Sequence, residues 1–259
     1  MTIRYGISVE LTASSITFGL VAALFFGMSK TGVPGIGIPG VLMMTLAFPG
    51  TEKLSTGAVV PLLVIADSFA VWYYWRRADW RRIRRLLPSV FVGLLIGTVV
   101  LRSLDHAQFK TALAVLVLTL IGFEELRRRM QWNRFPKAKP FAWGMGLLAG
   151  FTTQIGNAAG PVMSVYMAAQ NLPKHEFMGT FAVFFFIVNV SKLPLIGGLV
   201  PGLNMITRET LLFDLCLLPG LLVGVLLGRQ IYKLVPEKYF VPSIMILNLL
   251  VPIQMILFR

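Results

Sequence analysis

Three ionisable residues fall inside long apolar runs of this chain: Lys30 in SKTGVPGIGIPG, Asp67 in LLVIADSFAVW and Lys192 in FIVNVSKLP. Charged side chains are costly in an apolar medium, at least ~2.5–3.5 kcal/mol each at a bilayer centre, so each one there is a candidate for function. Two lysines among hydrogen-bonding neighbours suit the capture of an anion. The alternative for either lysine, and the stronger one for Lys192, is a long stem that carries the ammonium to an interface. Asp67 is either the partner of a lysine or a protonatable group that couples proton movement to other events.

The residues around these lysines repeat a theme. Ser29, Lys30 and Thr31 precede a run containing GIGIPG, and TTQIGNAAGP (Thr152 to Pro161) places Thr153, Gln154 and Asn157 in a similar setting. GIGIPG fits the G-x-G-x-x-G pattern of dinucleotide-binding loops. That pattern needs a preceding strand, a following soluble helix and an acid about 20 residues on. The run before it is membrane-like, Pro34 and Pro39 interrupt it, and Asp67 lies on a different segment. The nucleotide reading is therefore rejected. A joint between two short helices explains the glycines better, and a helix opening near Gly35, Gly37 and Ile38 would turn free N–H groups and its positive end toward an anion. Non-helical backbone at membrane depth must be buried in protein or line a wet cavity, and the expectation is that it lines the candidate site.

Other chemistries lack their residues. Cys216 has no partner for a disulfide and sits in an apolar run, where a small buried residue is expected. His106 and His175 lie near segment ends, and no set of metal ligands is apparent. No catalytic couple is legible, so no enzyme activity and no cofactor are expected. Glu10 and Asp214 lie close to segment ends and read as interfacial.

The elements that must position these residues are apolar segments. Of 259 residues, 56% are hydrophobic and 14% charged, well below the quarter usual for a water-soluble domain. The net charge of +13 raises nucleic acid as a partner, and its placement removes it. RRADWRRIRR (76–85) and EELRRRMQWNRFPKAK (124–139) hold twelve of the 24 basic residues and three of the 11 acids. Positive charge collected in short loops between apolar runs marks the cytoplasmic side of a membrane protein.

Ten apolar segments follow, near 11–28, 36–49, 54–75, 86–103 and 107–126, then 141–155, 159–170, 176–199, 210–232 and 237–258. The last three of each five are long enough to cross. The first two are shorter in their apolar parts and broken at the joints, and whether they span or re-enter stays open. The two fives are in register. At an offset of 122, Pro39 matches Pro161, Gly57 matches Gly179 and Asp67 meets Asn189; at 131, Pro88, Gly93, Gly97 and Phe109 match Pro219, Gly224, Gly228 and Phe240.

The loop GGLVPGLNMITRET (197–210) replaces the arginine-rich loop with Arg208 beside Glu209, so it reads as external. The expected fold is an all-α polytopic membrane protein of two inverted-topology repeats: residues 1–130 and 141–259, joined by a cytoplasmic linker at 131–140. Short Gly/Pro-broken segments at matching positions point to a transporter's binding site.

SKTGVPGIGIPGVLM, STGAVVPLLVIAD, RRADWRRIRRLLP, GFTTQIGNAAGPV and VNVSKLP together resemble the TauE/SafE family of sulfite and organosulfonate exporters, also called the toluenesulfonate uptake permease family. The resemblance covers nearly the whole chain and places the family's glycine-rich motifs at Ser29–Gly40 and Gly150–Pro161. It implies a multi-pass permease of a bacterial inner membrane for a small sulfur-containing anion such as sulfite or sulfoacetate.

The expected partners are that anion, the lipid bilayer and a proton or other coupling ion. The expected site comprises Ser29, Lys30, Thr31, Gly35, Gly37, Gln154, Asn157, Asn189 and Lys192, with Asp67 as the coupling candidate. Two other readings remain: a non-transporting membrane partner or assembly factor, and a permease for a non-sulfur organic anion.

Overall fold

A computed structural model describes residues 12–129 and 139–244. Glu10, most of the 131–140 linker and the end of the last segment lie outside the described residues. The helices are α1 (Ala13–Thr31), α2 (Gly37–Leu46), α3 (Glu52–Tyr74), α4 (Trp80–Ser103) and α5 (His106–Arg129). After the linker come α6 (Lys139–Gly156), α7 (Ala159–Ala169), α8 (Lys174–Ile196) and α9 (Arg208–Leu234). The chain is helical again over 237–244.

Polarity in this molecule is inside out. Leu95, Val99, Leu215 and Leu226 are exposed on the outer faces of α4 and α9, whereas Lys30, Asp67, Gln154, Asn189 and Lys192 are buried. Among the described residues, five helices, α1, α3 with its continuation to Arg77, α4, α8 and α9, are long and apolar enough to cross a membrane. Exposed apolar belts with polar groups inside are stable when the surrounding solvent is lipid. Trp72, Trp75 and Trp80 stand exposed around the 76–85 arginine cluster, the place for an interfacial aromatic belt. Asp79, the acid inside that cluster, caps α4 through Arg82 N at 3.0 Å. Cys216 departs from expectation: it is exposed among the outward leucines of α9.

Two parallel helix pairs pack through small residues. Along α1 and α9, a Cβ on Gly27 would strike the Leu221 carbonyl, and one on Gly224 would strike the Leu24 carbonyl. Along α4 and α6, Gly150 and Gly93 stand in the same relation to the carbonyls of Val90 and Leu147. Lipid tails are as apolar as leucine, so close backbone approach at small residues is what holds such pairs together. The third pairing, α3 with α8, is antiparallel: Gly179 abuts the Tyr74 carbonyl, and Asp67 meets Asn189 farther along.

α1 and α6 are longer than their apolar runs suggest, at 19 and 18 residues, because both continue through polar residues of the expected joints. Ser29, Lys30 and Thr31 are the last residues of α1, and Thr152 to Gly156 belong to α6. α2 and α7 are the short ones, with 10 and 11 residues. At 1.5 Å per residue they cover about 15 Å, half of a hydrocarbon core. Each folds back along its predecessor: Gly37 packs on Ser29 and Gly40 on Ala22 and Phe26, and Phe141 stacks on Tyr166. Gly35 turns the first hairpin with φ +104°, and Asn157, 122 residues later, turns the second with φ +53°. Asparagine enters this left-handed region more readily than other non-glycine residues, so a second glycine is not required there.

Candidate functional site

The two hairpin tips meet inside the protein. A Cβ on Gly160, in the first turn of α7, would lie 3.9 Å from the Gly35 nitrogen. Neither α2 nor α7 has a side-chain cap on its N-terminus. The first-turn N–H groups of such helices lack intrahelical acceptors, and Pro39 and Pro161 each occupy the third helical position, where a missing N–H costs nothing.

α3 and α8 cross beside these tips. Asn189 Nδ2 donates to Asp67 Oδ2 at 2.6 Å, so the two residues paired by the 122 offset touch each other. Lys30 Nζ lies 2.9 Å from Asp67 Oδ1 and 4.0 Å from the centre of the Phe185 ring. Asp67 is completely buried and Lys30 nearly so, which makes this a desolvated ion pair with a cation–π contact on one side. Asn189 Oδ1 receives no hydrogen bond.

Lys192 is also completely buried, and its stem runs inward rather than to an interface. Its Nζ donates to the Thr153 carbonyl at 2.7 Å and to Asn157 Oδ1 at 2.5 Å. Both acceptors are neutral. Asn157 in turn donates from Nδ2 to the Thr56 carbonyl at 2.9 Å, and Thr56 Oγ1 donates to the Ile155 carbonyl at 2.9 Å. The second tip is thereby tied to α3 and α8 together. Lys30, Asp67 and Lys192 are near enough to interact electrostatically.

Between the tips and the α3–α8 crossing lies a small cavity with about 30 Å³ open to the centre of a water molecule, room for roughly two waters. Of the expected residues, Ser29, Lys30, Gly35, Gly37, Asn157 and Asn189 line it, and so does Thr153. Lys192 stands behind that wall, held to it through Asn157 and Thr153. Asp67 stands behind Lys30 and Asn189.

Thr31 and Gln154 are not brought to the cavity. The Thr31 hydroxyl donates to the carbonyls of Gly27 at 2.9 Å and Val225 at 2.8 Å, which commits it to the α1–α9 contact. Gln154 packs its Cβ against Gly97 in the α4–α6 contact, and its amide makes no hydrogen bond.

The residues missed in the sequence are aromatic. Phe26, Phe181 and Phe185 form apolar walls of the cavity, and Phe185 meets Lys30 directly. Phe181, Phe184 and Phe185 were visible only as part of an apolar run, with nothing to single them out. Asp214, read as interfacial, is buried on α9 with both carboxylate oxygens unpartnered.

Comparison with known proteins bears on this arrangement. The family model described as sulfite exporter TauE/SafE matches residues 16–255. A "Probable membrane transporter protein" of Haemophilus influenzae is 28% identical over 181 residues, 65% of this chain and 68% of the relative. The "Probable inner membrane transporter protein TsaS" of Comamonas testosteroni is 28% identical over 189 residues, covering 72% and 77% respectively. No solved structure matches.

Proposed function

The chain belongs to the sulfite exporter TauE/SafE family, and from that premise we propose that it is a multi-pass permease of the inner membrane that carries a small sulfur-containing anion. The observation that carries the substrate's sign is Lys192: a fully buried ammonium whose hydrogen-bond acceptors are both neutral. A buried charge without a counter-ion is strongly disfavoured, and a bound anion supplies the missing one. The uncapped first turns of α2 and α7 at the same cavity add two positive dipole ends and unpartnered N–H groups.

Size favours a compact anion. A cavity with room for about two waters suits sulfite more closely than a long sulfonate. Alternating access would rock one repeat against the other around the tips, which are the natural pivots because non-helical backbone gathers there. The equivalent glycine contacts of α1–α9 and α4–α6, and the meeting of Asp67 with Asn189, support an internal two-fold relation between the halves. The arginine-rich 76–85 cluster would face the cytoplasm and the 197–210 loop the outside, which makes the repeats inverted.

The test is uptake of labelled sulfite into liposomes holding the purified protein, with Lys192→Met and Lys30→Met alongside. Saturable uptake lost in Lys192→Met, while that variant keeps its helical signature and size-exclusion profile, is the expected result. Absence of uptake by the folded wild type for sulfite, methanesulfonate and a dicarboxylate alike would move the chain to a non-transporting role.

A further inference from the structure

Among the described residues, three formal charges serve the cavity, and their arrangement counts to one. Lys30 and Asp67 oppose each other at 2.9 Å and cancel. Lys192 is left over. The other charges on the helices that build the site are at their ends. On α3, Glu52 pairs with Lys110, and Lys53 donates to the Leu104 carbonyl at 2.6 Å. On α8, Lys174 donates to the carbonyls of Tyr232 and Val235, and Glu176 is exposed. Lys139 opens α6 and is exposed, and α2 and α7 carry no charged residue.

We infer that the site is matched to a singly charged oxyanion, and that Asp67 sets this selectivity by neutralising Lys30. The inference rests on the permease reading above. In a water-poor interior, a monoanion in the cavity, with Lys192 behind its wall, leaves the site neutral. A dianion of similar size leaves one uncompensated negative charge there, and low effective permittivity makes that difference large.

A second observation points the same way. Asn189 lines the cavity and keeps Oδ1 without a donor, since its Nδ2 is given to Asp67. An acceptor in need of a proton suits a hydrogen-sulfite-like monoanion, which carries one, over the sulfite-like dianion that has lost it. Asp67 is then neither substrate ligand nor proton carrier. It is a fixed negative charge that subtracts one from the count.

Methanesulfonate and sulfate test the count, because both have five heavy atoms and they differ in charge. Each is used to compete against labelled sulfite uptake in proteoliposomes at constant ionic strength. The wild type is expected to be inhibited by methanesulfonate at concentrations at least about tenfold lower than by sulfate. Asp67→Asn raises the count by one and should bring sulfate level with methanesulfonate or ahead of it. Lys30→Met with Asp67→Asn removes one charge of each sign. That double variant should keep the wild-type ratio, whatever its rate, and it tests the count even if the single variant does not fold.

Equal competition by sulfate in the wild type overturns the inference while leaving the permease reading intact. So does a ratio in the double variant that has shifted toward sulfate. Failure of the folded wild type to take up sulfite at all removes the permease reading and the inference with it.

Discussion

Lys30→Met would leave the Asp67 carboxylate fully buried with one remaining hydrogen bond, from Asn189 Nδ2 at 2.6 Å. Asp67→Asn would leave the buried Lys30 ammonium without its counter-ion, against the Phe185 ring 4.0 Å away. Removing one partner of a buried ion pair costs about 3–5 kcal/mol, because the other charge stays desolvated. Replacing both removes the charges together, and methionine and asparagine keep nearly the same volume, so the double variant should lie within about 1 kcal/mol of the wild type. The two singles together cost far more than the double, so the coupling energy from the cycle is about 5–10 kcal/mol.

Titration of the protein from mild micelles into a denaturing detergent, followed by helical circular dichroism, gives the four unfolding free energies. Two singly unstable variants and a restored double are expected. Single variants that each cost less than about 1 kcal/mol, or a double whose cost is the sum of the singles, would refute the ion pair as drawn and return Asp67 to the role of a neutral, proton-carrying group.

Two further outcomes follow from the packing and the tip geometry. Gly224→Ala places a methyl against the Leu24 carbonyl and must separate α1 from α9, at an expected cost of about 1–3 kcal/mol in the same titration, and Gly93→Ala should do likewise to α4 and α6. Asn157→Ala should be less stable than Asn157→Gly by about 1 kcal/mol, since φ is +53° at this position and alanine resists it; sulfite uptake should fall in both, because both lose the amide that bonds Lys192.

Composition and spacing determined a great deal. A chain this apolar, with its arginines in two short clusters, has to sit in lipid, and that conclusion needs no coordinates. The broken joints were legible because glycine and proline act locally on the backbone, and the tips do fall at Gly35 and Asn157. The glycines of the 131 register were legible because Gly93, Gly97, Gly224 and Gly228 all stand at close helix contacts that leave no room for a side chain. Lys30, Asp67 and Lys192 stood out because ionisable groups are scarce in apolar runs.

Which polar side chain meets the cavity was decided by tertiary structure alone. Lys30 and Thr31 are neighbours, yet one lines the cavity and the other bonds Val225 across the α1–α9 contact. Thr153 and Gln154 divide in the same way, toward the cavity and toward Gly97. Successive residues on a helix point about 100° apart, so adjacent polar residues cannot share a target. The sequence names both members of each pair, and the direction of the axis and the helix packed beside it choose between them. The meeting of Asp67 with Asn189 is likewise a property of the α3–α8 crossing: 122 residues separate them along the chain, and 2.6 Å separates their side chains in the fold.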